Sequence, residues 1–268
     1  MFEQIFSSFQ GLPLPEILVP GTAMPVDPGA DIAEDDPTLV PPPWEVAGRA
    51  AIEFAQFPID RVRSHVPLDV DILQTWPGYT FGAIAFITYD RTPVGPYNEI
   101  VIAPALVRYR KVLSLWVTSI DVDSEVSYKN GRLNWGLPKE QRSFEYNWHG
   151  GGADLTVSSQ DGQLLSATCT DSPLREIALP EWMGGLATAL RDLTVPLNIE
   201  GLAMLTYRKS LYHRTPTRFE GKASPVSFRM NVSAPEDSPY HLVDRRESLL
   251  ALAFNPFQLN LSAPGYAD

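Results

Sequence analysis

Cysteine is all but missing from this chain. Cys169 is the single one in 268 residues, which excludes an intramolecular disulfide and a thiolate metal cluster and fits a reducing, cytoplasmic setting. Basic residues are outnumbered as well, with 21 Lys and Arg against 32 Asp and Glu for a formal net charge of -11. A partner held by its phosphate backbone needs clustered Lys and Arg, so no nucleic acid is expected. Long apolar runs are absent too; Pro, Gly or charge interrupts each before the ~20 residues a membrane helix needs, and no integral membrane segment is expected. At the start, Met1–Phe6 carries Glu3 where a signal peptide would be basic, so no leader is read there. Also missing are a phosphate loop, a glycine-rich dinucleotide turn, a His-Glu-x-x-His helix and a Gly-x-Ser-x-Gly nucleophile elbow. The four histidines, His65, His149, His213 and His241, lack metal-ligand spacing. Neither metal nor cofactor is expected.

What is present is enough apolar material for a full-sized core: 44% of the residues are hydrophobic and 10% aromatic. Residues 1–43 read as a Pro-rich acidic arm, ending in Pro41-Pro42-Pro43 and either mobile or docked through Ile17, Leu18, Val19 and Trp44. Residues 44–268 read as one domain. Short runs of β-branched and aromatic residues, broken by Gly, Pro, Asn and Asp, predict strands over 51–57, 79–89, 99–103, 105–117, 120–128, 142–148 and 154–158. The same texture continues over 203–212, 217–223, 225–232 and 258–262. Asn130-Gly131 and Asp161-Gly162 supply tight turns and imply antiparallel pairing. Helical spacing is confined to 59–65 and 181–194. The expected fold class is therefore mainly β, with few short helices.

Lysine is scarce: Lys111, Lys129, Lys139, Lys209 and Lys222 stand against sixteen arginines. Lys139 is the conspicuous one, because it follows Gly136-Leu137-Pro138 inside a Trp- and Gly-rich stretch with no amphipathic role. An exposed lysine in a turn is the plain reading of those residues alone. The run Gly131-Arg132 followed by Trp135-Gly136-Leu137-Pro138-Lys139 resembles the Gly-Arg-x-x-x-x-x-Pro-Lys signature of acetoacetate decarboxylase-like proteins. Upstream, Pro93-Val-Gly-Pro-Tyr-Asn-Glu-Ile100 resembles that superfamily's segment with a functional glutamate. Within the superfamily, Asn134-Trp135-Gly136 is most similar to the plant and cyanobacterial neoxanthin-deficiency-like branch.

That resemblance implies a single antiparallel β-cone or barrel-like domain around a mostly apolar pocket, with Lys139 forming a Schiff base with a ketone. An amine adds to a carbonyl only when neutral, and burial lowers a lysine pKa; acetoacetate decarboxylase is itself a standard instance of such a lysine. By the same resemblance Glu99 is the candidate general acid or base. Tyr97, Arg132 and Trp135 are implied pocket-wall residues, while Arg49 is equally a receptor for a substrate carboxylate or a surface arginine on the first strand. Two departures weigh against acetoacetate itself. Glu140 stands where the decarboxylase has a second lysine, although in a strand it would face away from Lys139. Ile84 falls where a second pocket glutamate is expected. The function implied is a Schiff-base lyase of decarboxylase, aldolase or dehydratase type acting on another keto compound. The alternative is a non-catalytic binder of an apolar ligand such as a carotenoid, isoprenoid or lipid, and a homo-oligomer is possible in either case.

Overall fold

The computed structural model describes residues 17–150, 152–172 and 197–267. The helical spacing read over 181–194 lies outside them. Sixteen strands among the described residues are hydrogen-bonded into one large mixed sheet. Five long strands form its middle: β13 (Leu197–Arg208), β14 (Leu211–Val232), β15 (Glu247–Leu261), β2 (Trp44–Pro58) and β4 (Tyr79–Arg91), each antiparallel to the next. One flank continues through β5 (Tyr97–Ala103) and β8 (Ser119–Val122) to β9 (Lys139–Gln141). The other runs through β7 (Val112–Trp116), β6 (Ala105–Tyr109) and β3 (Asp71–Leu73) to β1 (Leu18–Pro20). The pairs β7 with β13 and β8 with β9 are parallel, so the all-antiparallel expectation is corrected there. Because β1 and β9 do not meet, the expected barrel is an open, curled sheet.

Side chains alternate across each strand. The inner face gathers Trp44, Phe54, Tyr89, Tyr97, Val122 and Phe257 together with Leu106 and Leu115 from the far flank, which requires the sheet to curl. The outer face carries Ala51, Phe57, Ile84, Phe86, Ile100 and Ile102. It is covered by a smaller antiparallel sheet of β10 (Ser143–His149), β11 (Gly152–Ser159) and β12 (Gly162–Asp171). The one-turn helices α1 (Ile59–Val62) and α3 (His241–Asp244) pack on the same side through Ile59, Val62, Leu242 and Val243. β14 serves both layers: within residues 211–225 it pairs with β13 and β15, and its end pairs with β12 over Val226–Val232.

Three expected strands are corrected. The run 105–117 is a hairpin turning at Arg110, with φ 52°, and 203–212 turns at Lys209 and Ser210, with φ 48° and 63°. Neither turn uses the Gly or Asn that usually announces a positive φ. More consequentially, 120–128 leaves β8 to enter α2 (Glu125–Trp135), and the Asn130-Gly131 pair lies inside that helix rather than in a turn. Ser124 caps α2 by accepting from the Ser127 amide at 3.2 Å. Gly136 ends it in the left-handed region, φ 66°, with its amide on the Arg132 carbonyl and the Leu137 amide on that of Gly131. Pro138 follows, and the chain returns as β9 beside β8.

Described from Ile17, the arm lies against this unit. Val40 and Thr38 bond the Asn130 side chain through a backbone amide and a carbonyl, and Asn134 donates to the Val40 carbonyl. Asp36 pairs with Lys129 at 3.1 Å and Asp31 with Arg132 at 3.1 Å.

Candidate active site

Lys139 opens β9 opposite Ile120 of β8, which turns its side chain to the inner face and that of Glu140 to the outer one. On β5, Glu99 stands opposite Val122 of β8 and Ile87 of β4, and so shares the inner face. The two side chains meet there. Lys139 Nζ donates to Glu99 Oε2 at 2.6 Å, and the residues are 3% and 5% exposed. A second Nζ hydrogen bond, 3.0 Å, goes to Ser127 Oγ in the first turn of α2. Nζ also lies 5.2 Å from the centre of the Tyr97 ring. The amine thus has two hydrogen-bond partners and an aromatic ring beside it.

The glycine of the motif explains how the lysine gets there. A Cβ built on Gly131 would meet Lys139 Cδ at 2.4 Å and Cε at 2.5 Å. Ser127 and Gly131 are one helical turn apart on one face, so the lysine stem crosses the glycine and its ammonium reaches the serine. The carboxylate of Glu99 is held from its other side, where Tyr89 donates to Oε1 at 3.1 Å. Burial, reinforced by the Glu99 charge, pushes the Tyr89 and Tyr97 hydroxyls well above the usual tyrosine range, although the nearby Ser127 hydroxyl pulls Tyr97 the other way. Both remain donors at ordinary pH. Tyr146, reaching in from β10, donates to the Glu99 carbonyl at 3.4 Å.

The curled sheet that carries these residues has parallels among solved structures. An acetoacetate decarboxylase from Legionella pneumophila superposes with a TM-score of 0.61 at 14% identity, covering 90% of this chain and 94% of that one. An acetoacetate decarboxylase-like enzyme from Sphingomonas wittichii gives 0.64 at 11% identity over 86% and 95%. The chain has the acetoacetate decarboxylase-like fold. The enduracididine biosynthesis enzyme MppR, in complex with pyruvate, shares that fold with a TM-score of 0.59 at 15% identity over 92% and 98%. No family model matches the chain. In sequence it is 27% identical over 161 residues to Protein NEOXANTHIN-DEFICIENT 1 of Oryza sativa, and 26% identical over 106 residues to that of Arabidopsis thaliana. The first alignment covers 58% of this chain and the second 40%. They span 53% and 37% of those proteins, so the chain spans about half or less of the curated relatives it matches.

On the acetoacetate decarboxylase-like sheet the other residues singled out from the sequence are not gathered at the lysine. Arg49 pairs in register with Thr88, which places it on the outer face, and its guanidinium meets Asp90 at 3.5 Å near the surface. Ile84 is also on the outer face, opposite Glu53 of β2, whose buried carboxylate is engaged by Arg246. Arg132 clamps the backbone behind the site. It donates to the carbonyls of Pro28 at 2.5 Å and Lys139 at 3.1 Å, reaches Glu140 at 3.3 Å, and lies over the Tyr128 ring. Fully buried Trp135 packs edge-on against Trp44 at 4.9 Å and donates to the Ser262 carbonyl at 2.9 Å. Ser127 and Tyr89 carry hydrogen bonds of the site that the sequence did not announce. The one available signal was the Ser124 cap before Glu125, which marks a helix start and would have put Ser127 in a first turn.

A separate cleft of about 880 Å³ opens on the other side of β8 and β9, lined by Trp116, Asp121, Glu140, Arg142, Leu205 and Tyr240 among others. Asp121 is buried at its floor, accepting from Tyr240 at 2.6 Å with Arg142 Nε at 3.6 Å. Burial raises its pKa above the usual carboxylate value, although Tyr240 and Arg142 oppose the shift. Neither Lys139 nor Glu99 lines this cleft.

Proposed function

We propose that the chain is a Schiff-base enzyme acting on a keto compound other than acetoacetate, with Lys139 as the nucleophile and Glu99 as its proton acceptor and donor. The 2.6 Å contact between Lys139 Nζ and Glu99 Oε2 in a buried site carries the reading. An ammonium cannot add to a carbonyl, and a carboxylate at that distance takes its proton without a water. The neutral amine forms an imine, whose protonated form is an electron sink for loss of carbon dioxide, carbon–carbon cleavage or loss of water. Acetoacetate is set aside because Arg49, the residue weighed as a carboxylate receptor, is on the other face from Lys139 and is paired with Asp90. Likewise, the position weighed for a second acid is Ile84. Sharing the fold with acetoacetate decarboxylase and MppR fits this chemistry. The test is reduction with borohydride in the presence of a panel of small and large ketones and β-diketones, followed by intact-mass spectrometry and peptide mapping. An adduct on Lys139, absent in Lys139→Ala, is the expected result; no adduct with any ketone overturns the reading.

A second reading, a binder of an apolar molecule such as an isoprenoid or lipid, is favoured by the 880 Å³ cleft, which presents Met24, Val26 and Leu205 along with Asp121 and Arg142. It predicts saturable binding of such a molecule that survives Lys139→Ala.

A further inference from the structure

We infer that the cleft on the outer side of β8 and β9 binds an alcohol, an apolar molecule whose hydroxyl is held at the floor between Asp121 and Arg142. The inference rests on the second reading above, which takes the cleft as a site for an apolar molecule, and names the head group. At about 880 Å³ the cleft falls within the roughly 300–1,000 Å³ of small-molecule sites. Its apolar wall includes the arm. Met24 and Val26 are 72% and 73% exposed, the most exposed large apolar side chains among the described residues, and both line the cleft. Trp116 of β7 and Leu205 of β13 line it as well. Apolar side chains left in water on a cleft wall are stabilised when an apolar molecule covers them.

The floor is polar, and its hydrogen bonding is incomplete. Asp121 is 1% exposed; its Oδ2 accepts from Tyr240 at 2.6 Å and lies 3.6 Å from Arg142 Nε, while its Oδ1 has no hydrogen-bond partner among the described residues. Arg142 Nη1 donates to the Gln141 carbonyl at 2.8 Å, and Nη2 has no partner among them either. A carboxylate oxygen so buried is costly to leave unpaired, and native proteins meet such groups with a partner. Charge decides which head group fits. Arg132 and Glu140, also on the cleft, pair at 3.3 Å, Asp121 sits with Arg142, and Asp161, the remaining acid of the lining, is exposed to solvent. The buried polar end is therefore already balanced. A carboxylate would add a second negative charge beside Asp121, and an ammonium a second positive charge beside Arg142. A hydroxyl adds neither. With one oxygen it donates to Asp121 Oδ1 and accepts from Arg142 Nη2. Burial raises the Asp121 pKa, and a hydroxyl serves the protonated acid as well, by accepting from it.

The experiment titrates the full chain with 1-decanol, decanoate and decylammonium at neutral pH by isothermal titration calorimetry, three probes with one skeleton and three heads. Expected is saturable one-to-one binding of decanol, at least about 10-fold tighter than that of either charged probe. Asp121→Asn moves the preference toward decanoate, because Arg142 loses its counter-charge. Arg142→Met moves it toward decylammonium, because Asp121 loses its own. Each switch is expected to be roughly 10-fold in the ratio of dissociation constants. Damage to the fold alone would weaken all three probes alike, and Arg142→Met, at a side chain 30% exposed, keeps the test valid should Asp121→Asn fold poorly. Equal affinities for the three heads, a charged probe preferred by the wild type, or an unchanged order of preference in both variants overturns the alcohol and leaves the cleft a binder of apolar molecules. No binding of any of the three removes the cleft reading as well.

Discussion

The strands β8 and β9 have two faces, and each holds a buried acid with polar partners. On the inner face Glu99 meets Lys139, Tyr89 and, through the lysine, Ser127. On the outer face Asp121 meets Tyr240 and Arg142. Burial alone does not separate them, since both carboxylates are at most 5% exposed. The difference lies in what the partners can release. A lysine can give up its proton and become a nucleophile, whereas a guanidinium stays charged at any ordinary pH, and the Tyr240 hydroxyl is raised far out of reach by burial and by Asp121. The inner pair offers a nucleophile for covalent chemistry, and the outer cluster, which can still exchange the Asp121 proton, offers none.

The largest test of that contrast is a pair of substitutions. Lys139→Ala should remove ketone trapping by borohydride entirely, and Lys139→Arg should do the same, because guanidinium does not add to carbonyls. Asp121→Asn should leave the trapping rate within about 3-fold, the small change expected of a residue that touches none of the reacting atoms. A loss of trapping in Asp121→Asn equal to that in Lys139→Ala would erase the distinction between the faces. Next in size is Glu99→Gln, expected to slow adduct formation by about 100-fold while leaving far-UV circular dichroism unchanged, since general acid–base partners contribute ~10² to 10⁴ in rate.

Gly131→Ala sharpens the comparison from the side of packing. In an open helix this change would stabilise by about 1 kcal/mol. Here the new Cβ would overlap Lys139 Cδ and Cε, and the stem cannot swing away without breaking the contacts of Nζ with Glu99 and Ser127. Overpacking of this kind costs about 1–3 kcal/mol, so a net loss on urea denaturation and slower trapping are expected. A stabilised Gly131→Ala protein with normal trapping would show that the lysine does not need the glycine's space.

The smallest effect is in pH. Burial sets the Asp121 pKa above its ordinary 3.8, so the folded protein binds this proton at a higher pH than the unfolded chain does. The contribution of Asp121 to stability is therefore fully present below 3.8 and is lost as pH rises through the folded value. Thermal melts of the wild type and Asp121→Asn from pH 3.5 to 7 should show the wild type losing stability relative to the variant over that window. A constant gap would mean that Asp121 does not titrate as its burial dictates.

How much of this the sequence disclosed differs between fold and site. Strand texture was legible because alternation and turn residues are local, and most expected strands fall on observed ones. The helix α2 was not, since Asn130-Gly131 carries a strong turn signal, and only the packing of Lys139 on Gly131 shows why a glycine is there. Start and stop signals for a helix, Ser124 before Glu125 and Gly136 before Pro138, are nonetheless in the sequence. Of the site, Lys139, Glu99 and Tyr97 stand out through motif resemblance, and the structure places them together. Ser127 and Tyr89 lack any such mark, because their roles arise from a helix-to-strand return and a cross-strand pairing. Arg49 illustrates the converse problem: a shift of one residue along a strand changes the face, and near β2's bulge at Ala47 and Gly48 no spacing argument could fix it.

The shared strand β14 has a further consequence for how the molecule comes apart. It lends residues 211–225 to the curled sheet and its last seven to the covering one. A strand belonging to both layers couples their opening, so the amides it pairs are expected among the slowest to exchange, reporting global rather than local unfolding in a hydrogen-exchange measurement. The covering layer is thus no detachable lid, and the chain has to assemble both sheets around one long ribbon before either is secure, a non-local arrangement of the kind that folds slowly.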